Sequence, residues 1–205
     1  MKIYGVTTSP FVRMCLGAAN ECGISGTLQH MEERASLTEA NPKLTSLSAL
    51  GKIPILETDH HHAIYDSRVI VEYLAHVAGN KTLIPDDGVK RFRVLTLQAL
   101  GQGLAEAAVA YRYEVANRPA ELKWMEWLSR ATQRMNAAAD DLDRNWGSDL
   151  VDVTAGSIAA GVALSYIDFR IPELNWRNGR AKLAAFHEKF SARESMVKTD
   201  RKSVV

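Results

Sequence analysis

Apolar positions change their spacing along this chain, and the change divides it. Residues 2–6, Lys-Ile-Tyr-Gly-Val, are β-prone, and 27–31 again read as a strand. Between them Phe11, Val12, Cys15, Leu16, Ala19 and Cys22 recur at helical spacing, with Ser9 placed as an N-cap, Pro10 as the first helical residue and Gly23 as a left-handed cap. Strand, helix and strand in this order predict a parallel pair. A polar stretch over 32–50 is expected to hold a loop and an irregular helix. Strands over 53–57 and 63–65 follow, separated by a turn at Asp59-His60-His61. Asp66 and Ser67 are both good N-cap types, and Val69, Ile70, Tyr73, Leu74 and Val77 form the apolar stripe of the helix they open. The resulting order, β-α-β-α-β-β-α, is a small mixed sheet with helices on its faces.

Gly79-Asn80-Lys81-Thr82 and Pro85-Asp86-Asp87-Gly88 are turn-rich, and beyond them the β-branched runs stop. Helical patterns cover 91–117, continue from Pro119 to about 145, and return over 154–169 and 179–190. The 154–169 segment is almost wholly apolar, which places it at the centre of an α-bundle. The segment from Lys198 onward is polar and expected to fray. The expected organisation is an α/β domain over 1–79, a linker over 80–88 and an all-α domain over 89–205.

Two stretches of the first domain suit a ligand. Pro54 cannot donate to a ladder, so Gly51-Lys52-Ile53-Pro54-Ile55-Leu56 predicts an unusual strand. A cis Ile53-Pro54 bond would leave the Ile53 N–H and C=O facing outward, able to pair with a peptide-like ligand. The helix start at Tyr65-Asp66-Ser67 offers free N–H groups, a positive partial charge and a carboxylate. That corner suits a ligand with both an amino group and a carboxylate.

Composition narrows the partners. The 25 basic and 24 acidic side chains of this 205-residue chain leave a formal charge of +1, which gives no attraction to nucleic acid or an anionic membrane. Met1-Lys2 leads directly into a strand, with no apolar run long enough for a signal peptide or membrane span, so a cytoplasmic location is expected. Cys15 and Cys22, seven residues apart on one helix, stand roughly 10 Å apart, too far for a disulfide. Both read as core residues. The adjacent His60, His61 and His62 on a hairpin turn would point different ways, so a solvated turn is expected there and no metal.

In order and spacing these motifs resemble the glutathione transferases of the soluble, bacterial kind. The resemblance rests on Ser9-Pro10-Phe11-Val12-Arg13, on Gly51-Lys52-Ile53-Pro54-Ile55-Leu56 and on Tyr65-Asp66-Ser67-Arg68. Phe169-Arg170-Ile171-Pro172 and Phe190-Ser191-Ala192-Arg193-Glu194-Ser195 extend it over essentially the whole chain. It implies a thioredoxin-like N-terminal domain followed by an α-helical C-terminal domain, with glutathione as co-substrate, no metal, and a homodimer. By the same resemblance Ser9 would be the catalytic donor to the thiolate, with Thr8 as the alternative. Ile53 would hold the cysteinyl part through its backbone, Asp66 the γ-glutamyl amino group and Ser67 the γ-glutamyl carboxylate. Lys52 could reach the glycine carboxylate, Phe11 could wall the thiol pocket, and Tyr111 is the favoured wall for a small hydrophobic electrophile, with Trp124 and Trp127 on the next helix.

The chain departs from the family pattern in three places. Serine at position 9 and valine at position 12 stand where redox relatives carry cysteines, so dithiol exchange is not expected. Asp66 is one methylene shorter than the usual Glu. Thr154 and Ser157 place a hydroxyl where the capping box of the central helix usually has a carboxylate, which predicts a weaker folding signal. The implied activity is conjugation of glutathione to an electrophile, as in detoxification. Glutathione-dependent isomerisation or dehalogenation and a weakly catalytic adaptor are the alternatives.

Overall fold

A computed structural model describes residues 1–200 of the chain. Its contacts divide it into two compact units, one formed by Met1–Arg91 with the described residues from Arg193 onward, the other by Phe92–Ala192.

In the first unit, strands β1 (Lys2–Tyr4), β2 (Gln29–Met31), β3 (Ile55–Glu57) and β4 (Ala63–Ile64) form one sheet in the order β2-β1-β3-β4. The β1–β2 pair is parallel, and β3 runs antiparallel to both β1 and β4. Each strand is shorter than its β-prone run, because Gly5 ends β1 and a 3-10 turn at Ser25–Thr27 takes up the start of the second run. Tyr4 and Ile55 are register partners and pack with Leu44 of helix α2 (Pro42–Leu47) on one face. Ile3 and Leu56, the next pair, therefore point to the opposite face, and both are fully buried. Helices α1 (Pro10–Glu21) and α3 (Ser67–Val77) pack against each other and bury Val12, Cys15, Ala18, Ile70 and Leu74.

The second unit is helical. Helix α4 (Gly88–Asn117) enters it, followed by α5 (Met125–Asn145), α6 (Ala155–Arg170) and α7 (Ala181–Ser191). Pro119 opens a 3-10 turn at Ala120–Leu122, and α5 begins only at Met125, later than the expected start. Helix α6 is buried continuously from Ala155 to Leu164, the central position its apolar run predicts. Its capping box is complete despite the missing carboxylate. The Thr154 N–H donates to Ser157 Oγ at 2.9 Å and the Ser157 N–H donates to Thr154 Oγ1 at 3.2 Å, so a hydroxyl takes the place of the usual acid.

The segment after α7 returns to the first unit as helix α8 (Glu194–Lys198) against α1. Arg13, buried on α1, donates to the Met196 carbonyl at 3.0 Å, and Arg193 donates to both Glu21 oxygens at 2.9 Å. Ser195 also donates to Glu21. Thr199 is buried and donates to the Ser195 carbonyl at 2.8 Å, so fraying does not begin at Lys198; the rest of that expectation, 201–205, lies outside the described residues. Hydrogen bonds from Arg193 hold the Glu21 carboxyl below its ordinary value, against the effect of burial. A depressed pKa stabilises above the unfolded value of about 4.3 and is lost as pH falls through the folded one. Protection of the amides over residues 193–200, taken relative to the free-chain exchange rate at each pH, should therefore fall below about pH 4, and Glu21→Gln should show that lower protection at neutral pH. Equal protection in the variant at neutral pH would remove Glu21 as the anchor.

Candidate functional site

Helix α1 starts at the carboxyl end of β1, and its N-terminal residues set the chemistry there. Ser9 is the N-cap in extended geometry, and its Oγ accepts from the Val12 N–H at 3.4 Å. A serine hydroxyl has one donor and two acceptor positions, so this cap uses a lone pair and leaves the O–H to donate elsewhere. Ser9 is half-buried, while neighbouring Thr8 is exposed and takes no part in the cap. Phe11 is half-buried in the first turn.

Gly5 explains how Ile53 comes close to this turn. At φ +150°, a Cβ on Gly5 would lie 2.4 Å from Val12 Cγ2 and 3.2 Å from Ile53 Cβ, so the absence of a side chain lets these two pack. The Ile53-Pro54 peptide is cis, as the sequence suggests. Strand β3 is shorter than expected: its register with β1 ends at Ile55, paired with Tyr4, which leaves the Ile53 backbone outside that ladder. Lys52 is exposed beside it.

The start of α3 completes the group. Asp66 is its N-cap and accepts from the Arg68 N–H at 3.0 Å. The Arg68 guanidinium lies on the same carboxylate, with Nη2 3.0 Å from Oδ2. Burial works to raise the Asp66 carboxyl, and the side-chain and backbone hydrogen bonds from Arg68 outweigh it, so the net effect is a lowered pKa and a carboxylate at neutral pH. The Tyr65-Asp66 peptide is also cis, for which a non-proline sequence carries no signal. Ser67 is buried, and its carbonyl accepts from Cys15 Sγ at 3.7 Å, which ties the start of α3 to the second turn of α1. Ser9, Ile53, Asp66 and Ser67 are thus gathered around the first two turns of one helix. Arg68 is the part of this site to which sequence assigns no role; its place three residues after Tyr65 carries no signal for a contact with Asp66.

Tyr111 lies in the second unit on α4, half-buried, with its hydroxyl pKa raised by burial and by the charge of Glu173. Trp124 is exposed ahead of α5. Cys15 is fully buried and its thiol is pushed far up, first by burial and then by the Asp66 charge, which removes it as a reactive thiolate. Cys22 is half-buried, also raised, and both cysteines are free. The histidines at 60–62 are exposed, with His61 Nδ1 3.1 Å from Glu57 Oε1. Among the described residues no group of three or more His, Cys, Asp or Glu could hold a metal, and no helix is long and apolar enough to cross a membrane.

Residues 8–77, which hold most of this geometry but not Tyr111, match the family model described as "Glutathione S-transferase, N-terminal domain". An uncharacterised GST-like protein of Escherichia coli, YibF, is 30% identical over 205 residues, covering 98% of both chains. A solved structure of a glutathione transferase family member from Pseudomonas fluorescens Pf-5, with bound glutathione, superposes with a TM-score of 0.93 at 35% identity over 97% of each chain. A second structure from that organism, with bound S-(propanoic acid)-glutathione, gives 0.89 at 34% identity over 97% of this chain and 98% of that one.

Proposed function

The chain belongs to the glutathione S-transferase family, with a thioredoxin-like N-terminal domain and a mostly helical remainder, and from that premise we propose that it ionises the thiol of glutathione beside Ser9 and transfers the thiolate to a small electrophile. The observation that carries the reading is the Ser9 hydroxyl at the N-terminus of α1, capped through a lone pair and with its proton left to donate.

A free thiol titrates at about 8.5 in the cysteine reference, so most glutathione is inert at neutral pH. A hydrogen bond to a charged partner contributes about 1.5 to 3 kcal/mol, and the helix dipole adds about 0.3 to 1 kcal/mol. At about 1.4 kcal/mol per unit, the Ser9 hydroxyl alone lowers the thiol by roughly one to two units, enough to make thiolate a major form near pH 7 without a general base.

In this reading residues 1–79 bind glutathione, 80–88 link, and the helical domain from 89 carries the electrophile against Tyr111. The Ile53 backbone pairs with the cysteinyl unit as an added strand would. Asp66 takes the γ-glutamyl ammonium and the Ser67 N–H its carboxylate, with Lys52 near the glycine carboxylate and Phe11 beside sulfur. The P. fluorescens relative that holds S-(propanoic acid)-glutathione supports a transferase over a protein that only stores glutathione, because a sulfur-substituted glutathione is the product such an enzyme makes. The family also carries the expectation of a cytoplasmic homodimer.

Mass analysis after incubation with glutathione and a panel of aryl and alkyl electrophiles tests the reaction class. Conjugates with glutathione consumed are expected; glutathione returned unchanged with an altered substrate would make the protein an isomerase. Asp66→Asn tests the amino-group contact. Asparagine caps helices as well as aspartate does, so the fold should hold. Loss of the charge should weaken glutathione binding about tenfold by calorimetry. A change under twofold would remove Asp66 from the site.

A further inference from the structure

The helical unit carries two half-buried arginines, Arg112 and Arg170, that no carboxylate among the described residues answers with an ion pair. Helices α4 and α6 run in the same direction where they touch, with Leu97 against Gly156 and, four residues on, Gly101 against Ala160. Carried forward at about 1.5 Å per residue, Tyr111 comes level with Arg170 and Arg112 with the residue after it, while Tyr166 lies about one turn back along α6. The electrostatics agree, because Arg170, Tyr113 and Arg112 all act on the Tyr166 hydroxyl. Arg170 is held in place by stacking, its guanidinium carbon 3.9 Å from the centroid of the Phe169 ring. Arg112, Tyr166 and Arg170 are each half-buried.

The nearby acids form no ion pair with either arginine. Glu114, close by in sequence, is held by Arg118 at 2.7 Å. Glu173 acts on Tyr111. A cation in the last turn of α6 complements that helix's dipole, which accounts for Arg170 alone; Arg112 is outside the last turn of α4 and gains nothing of that kind. A half-buried guanidinium with no anion is a costly arrangement unless a ligand supplies one.

We infer that Arg112 and Arg170, with the Tyr166 hydroxyl as a further donor, form an anion subsite that holds a carboxylate on the electrophile. Two guanidinium charges set against Glu173 leave one positive charge, the complement of a carboxylate and short of a phosphate dianion. Planar guanidinium forks suit a carboxylate geometrically. Burial raises the Tyr166 hydroxyl, which keeps it a donor at working pH. The substrate class is therefore a small electrophile bearing an ionised carboxylate. This inference rests on the reading of the helical domain as the electrophile-binding part of a glutathione transferase.

Calorimetry with three probes tests it: glutathione, S-(2-carboxyethyl)glutathione and its neutral counterpart S-(2-carbamoylethyl)glutathione. The two conjugates differ only in the charge at the end of the sulfur substituent. The wild-type chain should bind the acid about 10- to 100-fold more tightly than the amide. In Arg112→Gln and Arg170→Gln that preference should fall to within about threefold, with affinity for glutathione and the amide unchanged, and lysine at either position should restore part of it. Unchanged glutathione affinity also shows that each variant is folded. Equal affinity for the two conjugates in the wild type, or a preference that survives in both glutamine variants, would overturn the subsite. Glutathione binding without discrimination overturns this inference alone; failure of glutathione itself to bind overturns the transferase reading and the subsite with it.

Discussion

Ser9→Ala is expected to lower conjugation at pH 6.5 by about 10- to 100-fold while leaving the affinity for glutathione nearly unchanged. The magnitude follows from one charge-assisted hydrogen bond, about 1.5 to 3 kcal/mol, lost from the thiolate. The pH dependence separates this from a general loss of fold. In the wild type the thiolate absorbance of bound glutathione should titrate one to two units below the free thiol at about 8.5; in the variant it should return toward that value. The deficit in turnover should therefore shrink as pH rises, and almost vanish above about pH 9, where the thiol ionises unaided. The same substitution removes an N-cap, which costs about 1 kcal/mol of stability. That loss lowers a melting temperature but cannot reproduce the convergence at high pH. A thiol pKa equal in the two proteins would move the catalytic role away from Ser9, and Thr8 would be the next position to change. Its exposure and its absence from the cap make it the weaker candidate.

The largest stability effect is expected at Gly101. A Cβ there would sit 2.5 Å from the Ala160 backbone nitrogen and 2.6 Å from the Ala159 carbonyl carbon, so the contact is with the backbone of α6 and no side chain can swing aside. The helices would have to separate along a seam that also holds Leu97 against Gly156. Overpacking a core typically costs about 1 to 3 kcal/mol and more where backbone must move. Gly101→Ala is therefore expected to destabilise by about 2 kcal/mol or more, read as a lower denaturant midpoint. Gly103 supplies the control. It lies on the same helix, is exposed, and has no atom within 4 Å of the place a Cβ would take. Gly103→Ala should stabilise by up to about 1 kcal/mol through helix propensity alone. Equal midpoints for the two variants would mean that α4 and α6 stand further apart than these distances.

Much of the fold is legible in the sequence because its signals are local. β-prone runs and three-to-four spacings mark the strands and helices of the first unit. Ser9, Asp66 and Thr154 cap helices as their side-chain chemistry dictates. The continuous apolar run of α6 marks the centre of the bundle. The departures from expectation are local too: the strands stop short of Gly5 and Ile53, and the box at Thr154 closes fully because a hydroxyl accepts from an N–H as a carboxylate does.

At the site, residue types and their order are readable along the chain: a hydroxyl at a helix start, a proline-broken strand, and an acid before a second helix. Those features depend on neighbours within one turn or one strand, so spacing alone exposes them. Tertiary structure decided which of them meet. Gly5 admits Ile53 beside Val12, the Ser67 carbonyl receives Cys15, Arg68 settles on Asp66, and the chain from Arg193 returns to α1 through Arg13 and Glu21. Arg112 of α4 and Arg170 of α6 both act on the Tyr166 hydroxyl because these two helices meet at Gly101 and Ala160. Apart from Arg68 and Asp66, which are neighbours at one helix start, such contacts join residues distant in sequence, where no periodicity connects them, and only the packing of helices and sheet brings them together.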